Sequence, residues 1–217
     1  MAYLRPPEGG SAERGDAYVL VGDSEGAPLT WDCSKPIPVA VNLNSLPLHD
    51  RASVLRDLKT VLAEISSQSS FQLHFAGETD EVPTKSWGYK RRPGSASAPV
   101  VVAFGNGTDS DLYKPGAIAV GGFFYDDDDR GLARAYLGYV YVHTEHFADL
   151  KEGSGFMSRG ALLTHELLHV LGLDHVHRSK WDSVMNPWLS YSWGKIGPGD
   201  LKGLERLAAI GCPSIVP

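Results

Sequence analysis

Cysteine is scarce: Cys33 and Cys212 are the only two in 217 residues. Neither belongs to a C-x-x-C or other thiolate metal spacing, which excludes cysteine-ligated zinc modules and dithiol redox chemistry. Two cysteines near opposite ends instead suggest one disulfide that closes the chain, with two buried free thiols as the alternative. Such a bridge closes a loop of roughly 180 residues, worth about 4–5 kcal/mol in the chain-entropy model, and is typical of exported proteins. Long apolar runs are also missing. The longest are residues 99–104 and 161–173, the second broken by His165, Glu166 and His169, whereas a bilayer span needs about 20 apolar residues. Residues 1–10 carry Pro6, Pro7 and Glu8 where a leader peptide has its apolar stretch, which fits an exported chain after leader removal, or a cytosolic one. Positive charge is in deficit, with 20 Lys and Arg against 26 Asp and Glu, a net charge of −6. That argues against a general nucleic-acid binder. No internal repeat is visible, so solenoids and propellers are excluded.

What remains has the composition of an ordinary globular chain, 42% hydrophobic and 21% charged, long enough to bury its own core. The expectation is one monomeric domain over residues 31–217, with residues 1–30 as an N-terminal arm and possible hairpin packed on it. Gly 24 and Pro 14 point to many loops, and His 8 calls for an explanation.

Along the chain, residues 18–21 and 28–31 flank the turn-rich Gly22-Asp23-Ser24-Glu25-Gly26, a hairpin pattern. Residues 37–42 read as a strand. Val54, Leu55, Leu58, Val61, Leu62 and Ile65 recur at helical spacing and predict an amphipathic helix over 50–66, capped by Asp50. Residues 71–76, 99–104, 117–125 and 138–144 read as strands, with a long loop over 78–98. Helices follow over 157–171, stopped at Gly172, and over 199–210. The fold class is α+β: a mixed, twisted sheet with one helix among its strands and two helices after them.

The chemistry concentrates in His165-Glu166-Leu167-Leu168-His169-Val170-Leu171-Gly172-Leu173-Asp174-His175. Residues four apart share a helix face, so His165 and His169 can bind one Zn²⁺. Glu166, one position on, is badly placed as a ligand but well placed to reach a water there. Gly172 lets the chain turn sharply, and His175 can return as third nitrogen ligand; Asp174 and His177 compete for that role. Three neutral ligands with an open position describe a catalytic zinc rather than a structural one.

This segment resembles H-E-x-x-H-x-x-G-x-x-H of the metzincin zinc metalloproteases at every fixed position. Met185, in Ser183-Val184-Met185-Asn186-Pro187, resembles that clan's methionine turn, and Met-x-Pro, the short spacing and the closing helix at Pro198-Gly199-Asp200-Leu201 resemble the matrixin catalytic domain. The resemblance spans about residues 30–212, though only 165–187 is specific. It implies a secreted zinc endopeptidase with Glu166 as general base and a protein or peptide substrate. The strand over 138–144, with Tyr139 and Tyr141, would be the edge strand that binds an extended peptide. Trp188, Leu189 and Tyr191 would line the pocket beyond the scissile bond.

The chain departs from matrixins in several ways. Leu189 stands where a pocket tyrosine is common, and the His-x-Asp of a second zinc site is missing, leaving His49, His74, His143 and His146 as surface or packing residues. Cys33 lacks the surroundings of a latency switch. Asp126–Asp129 (126–129), with Asp109 and Asp111, are a possible Ca²⁺ site, although a solvated acidic loop is the simpler reading. Loops after Met185 and around 85–94 would set specificity. Two other functions fit the motif: an inactive zinc-binding interaction module, and a zinc amidase acting on non-protein amides.

Overall fold

A computed structural model describes residues 3–4, 11–14, 17–23, 25–90, 100–114, 116–127 and 133–212. In chain order these form β1 (Tyr3–Leu4), β2 (Ser11–Arg14), β3 (Val19–Val21), β4 (Thr30–Trp31), β5 (Ile37–Asn42), α1 (Leu48–Gln68), β6 (Leu73–Glu78), α2 (Trp87–Lys90), β7 (Val100–Gly105), β8 (Ala119–Asp127) and β9 (Ala133–His143). Then come α3 (Thr144–Ala148), α4 (Arg159–Leu171), β10 (Leu173–Asp174), a 3-10 turn (Leu189–Tyr191) and α5 (Pro198–Gly211). Much of the N-terminal arm, and residues 91–94 of the expected specificity loop, lie outside the described residues.

The main sheet is mixed, as expected. Its order is β1-β8-β9-β7-β5-β6, with β4 also beside β9. The pairs β5/β6, β5/β7, β7/β9 and β4/β9 are parallel, while β8 runs antiparallel to β9 and β1 antiparallel to β8. The parallel strand β7 is buried at every position, as its unbroken apolar run requires. Helices α1 and α4 cover one face, where Val54, Leu58, Val61, Leu62, Ile65, Leu163, Leu167 and Val170 enter the larger core. The opposite face holds a smaller cluster built from Trp87, Leu112, Phe124, Leu137, Tyr139 and Tyr141.

The hairpin around Asp23 forms. Asp23 Oδ1 accepts from the Glu25 and Ala27 amides at 2.8 and 2.9 Å, and Leu29 N donates to Val21 O at 2.9 Å. Its strands then separate, β3 joining β2 and β10 in a small sheet and β4 joining the main one. Cys33 and Cys212 form the expected disulfide, 179 residues apart in sequence with Cα atoms 5.0 Å apart. No helix among the described residues is long and apolar enough to cross a membrane.

Three local expectations are corrected. Helix α1 starts earlier, after Pro47, and Asp50 in its first turn faces Arg159 (3.6 Å) instead of capping. Met157 does not open α4. It has φ 53°, and Ser158 caps the helix by accepting from the Ala161 amide at 3.0 Å. The strand over 138–144 is not an edge. It belongs to β9, which is hydrogen-bonded on both sides, to β7 and β8. The edge beside α4 is β8, which β1 meets only at Phe124 and Tyr125.

Candidate metal centre

Helix α4 is buried along its whole length, so its histidines and glutamate sit in the protein interior. It ends at Gly172, whose φ of 114° is the left-handed value that glycine adopts at little cost. Its amide satisfies the last turn by donating to His169 O and Leu168 O. The two-residue strand β10 then pairs with β3 and turns the chain back along the helix. His175 follows at once, its amide donating to Asp174 Oδ1 at 2.7 Å.

The turn brings three imidazoles together. The Nε2 atoms of His165, His169 and His175 form a triangle with each side 3.1 Å. His165 Nδ1 lies 2.7 Å from Val184 O, and His169 Nδ1 lies 2.8 Å from Leu173 O. A carbonyl can only accept, so both Nδ1 atoms carry the proton and both Nε2 atoms present lone pairs inward. Two facing lone pairs cannot hydrogen-bond to each other; a shared cation resolves the arrangement. Nitrogens about 2.0–2.1 Å from a tetrahedral ion stand about 3.3–3.4 Å apart, close to the observed spacing, so the donor set fits such an ion.

Electrostatics agree. Burial lowers the His165 pKa to about 3 and the His175 pKa to about 4, and holds His169 well below 6.5. All three are neutral at physiological pH, the state a metal ligand needs. Among the described residues they are the one group of three or more His, Cys, Asp or Glu side chains close enough to share an ion. The rival third ligands are otherwise engaged. Asp174 accepts from the His175 amide, and exposed His177 pairs with Ser179 Oγ at 2.9 Å.

Glu166 lines the same cleft as the three histidines, a cavity of about 560 Å³. Burial pushes its carboxyl up to about 8, opposed by a hydrogen bond from the Gly121 backbone. One wall of the cleft is Gly116 to Gly121, the exposed edge of β8 and the residues before it; the other includes Asn186, Pro187, Trp188 and Leu189.

Met185 is buried in a turn in which Asn186 N donates to Ser183 O at 3.4 Å. This turn supports the three-histidine cluster through Val184, whose carbonyl lies against His165 Nδ1. Asp200, from the first turn of α5, holds the turn in place: its carboxylate accepts from Ser183 Oγ at 2.5 Å and Val184 N at 2.8 Å, and from Gly197 N at 2.8 Å.

Of the expected substrate-contacting residues, Trp188 and Leu189 line the cleft. Tyr191 is outside its lining and packs at a tilt against Trp181, 4.9 Å between centroids. Tyr139 and Tyr141 are also outside it. Side chains alternate along β9, so when Gly138 faces Val170 of α4, these tyrosines point to the far face. There Tyr141 donates to Asp109 and accepts from Gly107 N. That contact, and the bond from Lys85 N to Asp111 Oδ1 at 2.7 Å, tie Asp109 and Asp111 into the protein's own hydrogen bonding. Asp128 and Asp129 lie outside the described residues. Among the described residues buried His143 has no hydrogen-bond partner for its Nδ1, whereas His49, His74 and His146 are exposed.

Three contributors were not singled out from sequence: Gly121, Asn186 and Asp200. Asp200 had a local signal, since an acidic residue at the third helical position after Gly-Pro-Gly is a capping pattern. Gly121 and Asn186 act through partners distant in sequence or through backbone carbonyls, which spacing does not display. No family model and no curated protein matches the chain.

Proposed function

We propose that the protein is a zinc-dependent endopeptidase of the metzincin type, with a matrixin-like catalytic domain, exported to an oxidising compartment. The observation that carries this reading is three inward-facing Nε2 atoms 3.1 Å apart with a buried glutamate from the same helix in the same cleft. A purely structural site has no use for that carboxylate. His165, His169 and His175 would hold the zinc. When bound, it would lower the pKa of a water and polarise the scissile carbonyl.

The chain's own residues supply the rest. The exposed edge of β8 offers backbone groups to an extended peptide, which adds to the sheet as another strand. Trp188 and Leu189 give the opposite wall an apolar surface for the side chain beyond the scissile bond. With its carboxyl kept ionised by the bound cation, Glu166 would take a proton from the attacking water and return it to the leaving amine nitrogen. Val184 O and Leu173 O keep two imidazoles in one tautomer and orientation. The disulfide supports export, since such bridges persist in oxidising compartments.

The test is cleavage of casein with and without a chelator. Loss on chelation and recovery with zinc supports the reading; cleavage of peptidoglycan amides in place of protein would point to the amidase alternative.

A further inference from the structure

The five tryptophans divide by place. Trp31 and Trp87 are buried, while Trp181, Trp188 and Trp193 are 49%, 59% and 67% exposed. These three lie in the irregular segment between β10 and α5. Tyr191, 44% exposed, packs at a tilt against Trp181, its amide donates to Trp188 O, and Trp193 N donates to Trp181 O. One ring contact and two backbone bonds thus group the four aromatics on one folded segment. Exposed aromatic side chains grouped in this way mark an interaction site.

The backbone of this segment is anchored from below. Asn186 is fully buried. Its Nδ2 lies 3.0, 3.2 and 3.0 Å from the carbonyls of Arg178, Lys180 and Tyr191, and its Oδ1 accepts from Trp188 N at 3.1 Å. A backbone fixed in this way can present its aromatic side chains with little further loss of entropy on binding. The local charge is opposite to that of the chain. Arg178, Lys180 and Lys195 stand against Asp182 alone in this segment, in a protein of net charge −6. Trp188 belongs to this surface and also to the cleft wall, so the two are continuous.

Resting on the peptidase reading above, we propose that this aromatic, basic rim docks the same polypeptide whose scissile bond lies in the cleft. It grips a neighbouring stretch that carries acidic and apolar side chains. Aromatic residues and arginine dominate such contacts, and the cations select acidic partners.

Three peptides test this: a short one that fills only the cleft, the same peptide extended by Glu, Leu and Phe, and one extended by Lys and Ser. The acidic apolar extension should lower KM about tenfold. The double variant Trp181→Ser, Trp193→Ser should lose that gain and cleave the short peptide as the wild type does. Binding is read separately, from tryptophan emission of the chelated wild-type protein, as the blue shift beyond that given by the short cleft-filling peptide, which should appear with the acidic extension only. Equal KM values with no emission shift would overturn the docking surface, as would a shift seen only with anionic phospholipid vesicles. An emission shift without cleavage of any peptide would support the surface and refute the peptidase reading.

Discussion

Gly121 and Glu166 are packed so closely that no side chain fits between them. A Cβ on Gly121 would lie 2.4 Å from the Glu166 carbonyl oxygen and 2.9 Å from its Oε2. The contact brings the exposed edge of β8 against the helix that carries the histidines, and it puts a backbone donor beside the Glu166 carboxylate. Gly121→Ala should therefore push strand and helix apart. We expect a loss of about 1–3 kcal/mol in stability and a fall of at least about tenfold in kcat/KM. Unchanged melting and unchanged kinetics would contradict the contact.

Asp200 acts on the metal centre from a distance. It is 1% exposed, and burial raises its pKa against the hydrogen bonds from Ser183, Gly197 and Val184. Asp200→Asn replaces an acceptor oxygen with an NH₂ group facing those donors. Stability should fall by about 1–3 kcal/mol. Zinc affinity should fall about tenfold, because Val184 O orients His165. Isothermal titration with zinc checks the second outcome.

The chelated protein should be most stable near pH 6.5. The three histidines have pKa values lowered below 6.5 by burial. Below that pH the unfolded chain takes up protons that the folded chain refuses, so stability falls as pH drops toward 4. Glu166 has the opposite sign. Its pKa rises from 4.5 to about 8, so the folded state holds a proton that the unfolded state has released, and stability falls as pH rises across that interval. Below 6.5 the three histidines outweigh Glu166; above it the buried carboxyls, Glu166 with its pKa of about 8 foremost, set the slope. Melting temperatures from pH 5 to 8 should show the peak, and Glu166→Gln should lessen the alkaline decline. A melting temperature that climbs steadily to pH 8 in the chelated wild type would refute this assignment.

The disulfide ties the two ends of the chain together, Cys33 beside β4 and Cys212 at the end of α5. The double variant Cys33→Ser, Cys212→Ser should lose about 5 kcal/mol in the chain-entropy model. Guanidinium unfolding measures it; midpoints that coincide with the wild type would show that the bridge constrains little.

The parts legible in sequence were those fixed by local spacing. A period of 3.6 places His165 and His169 on one face, and a glycine after the last turn permits the return of His175. The sheet edge was not legible. Residues 117–125 and 138–144 are both apolar strands, and which of them borders the cleft depends on pairing with β7, a partner distant in sequence. The faces of Tyr139 and Tyr141 follow from that same pairing. Asp50 looked like a helix cap because Arg159, its partner, lies more than a hundred residues away. The segment over 177–195 has no period, because the Asn186 side chain organises it in place of backbone ladders.

On the peptidase reading Glu166 performs the chemistry beside a metal held by three histidines. Glu166→Ala separates these two roles, with zinc content and casein cleavage measured on one preparation. One zinc per chain, retained, with cleavage reduced at least about a thousandfold, is the expected result. Wild-type cleavage in a zinc-loaded Glu166→Ala protein would contradict it.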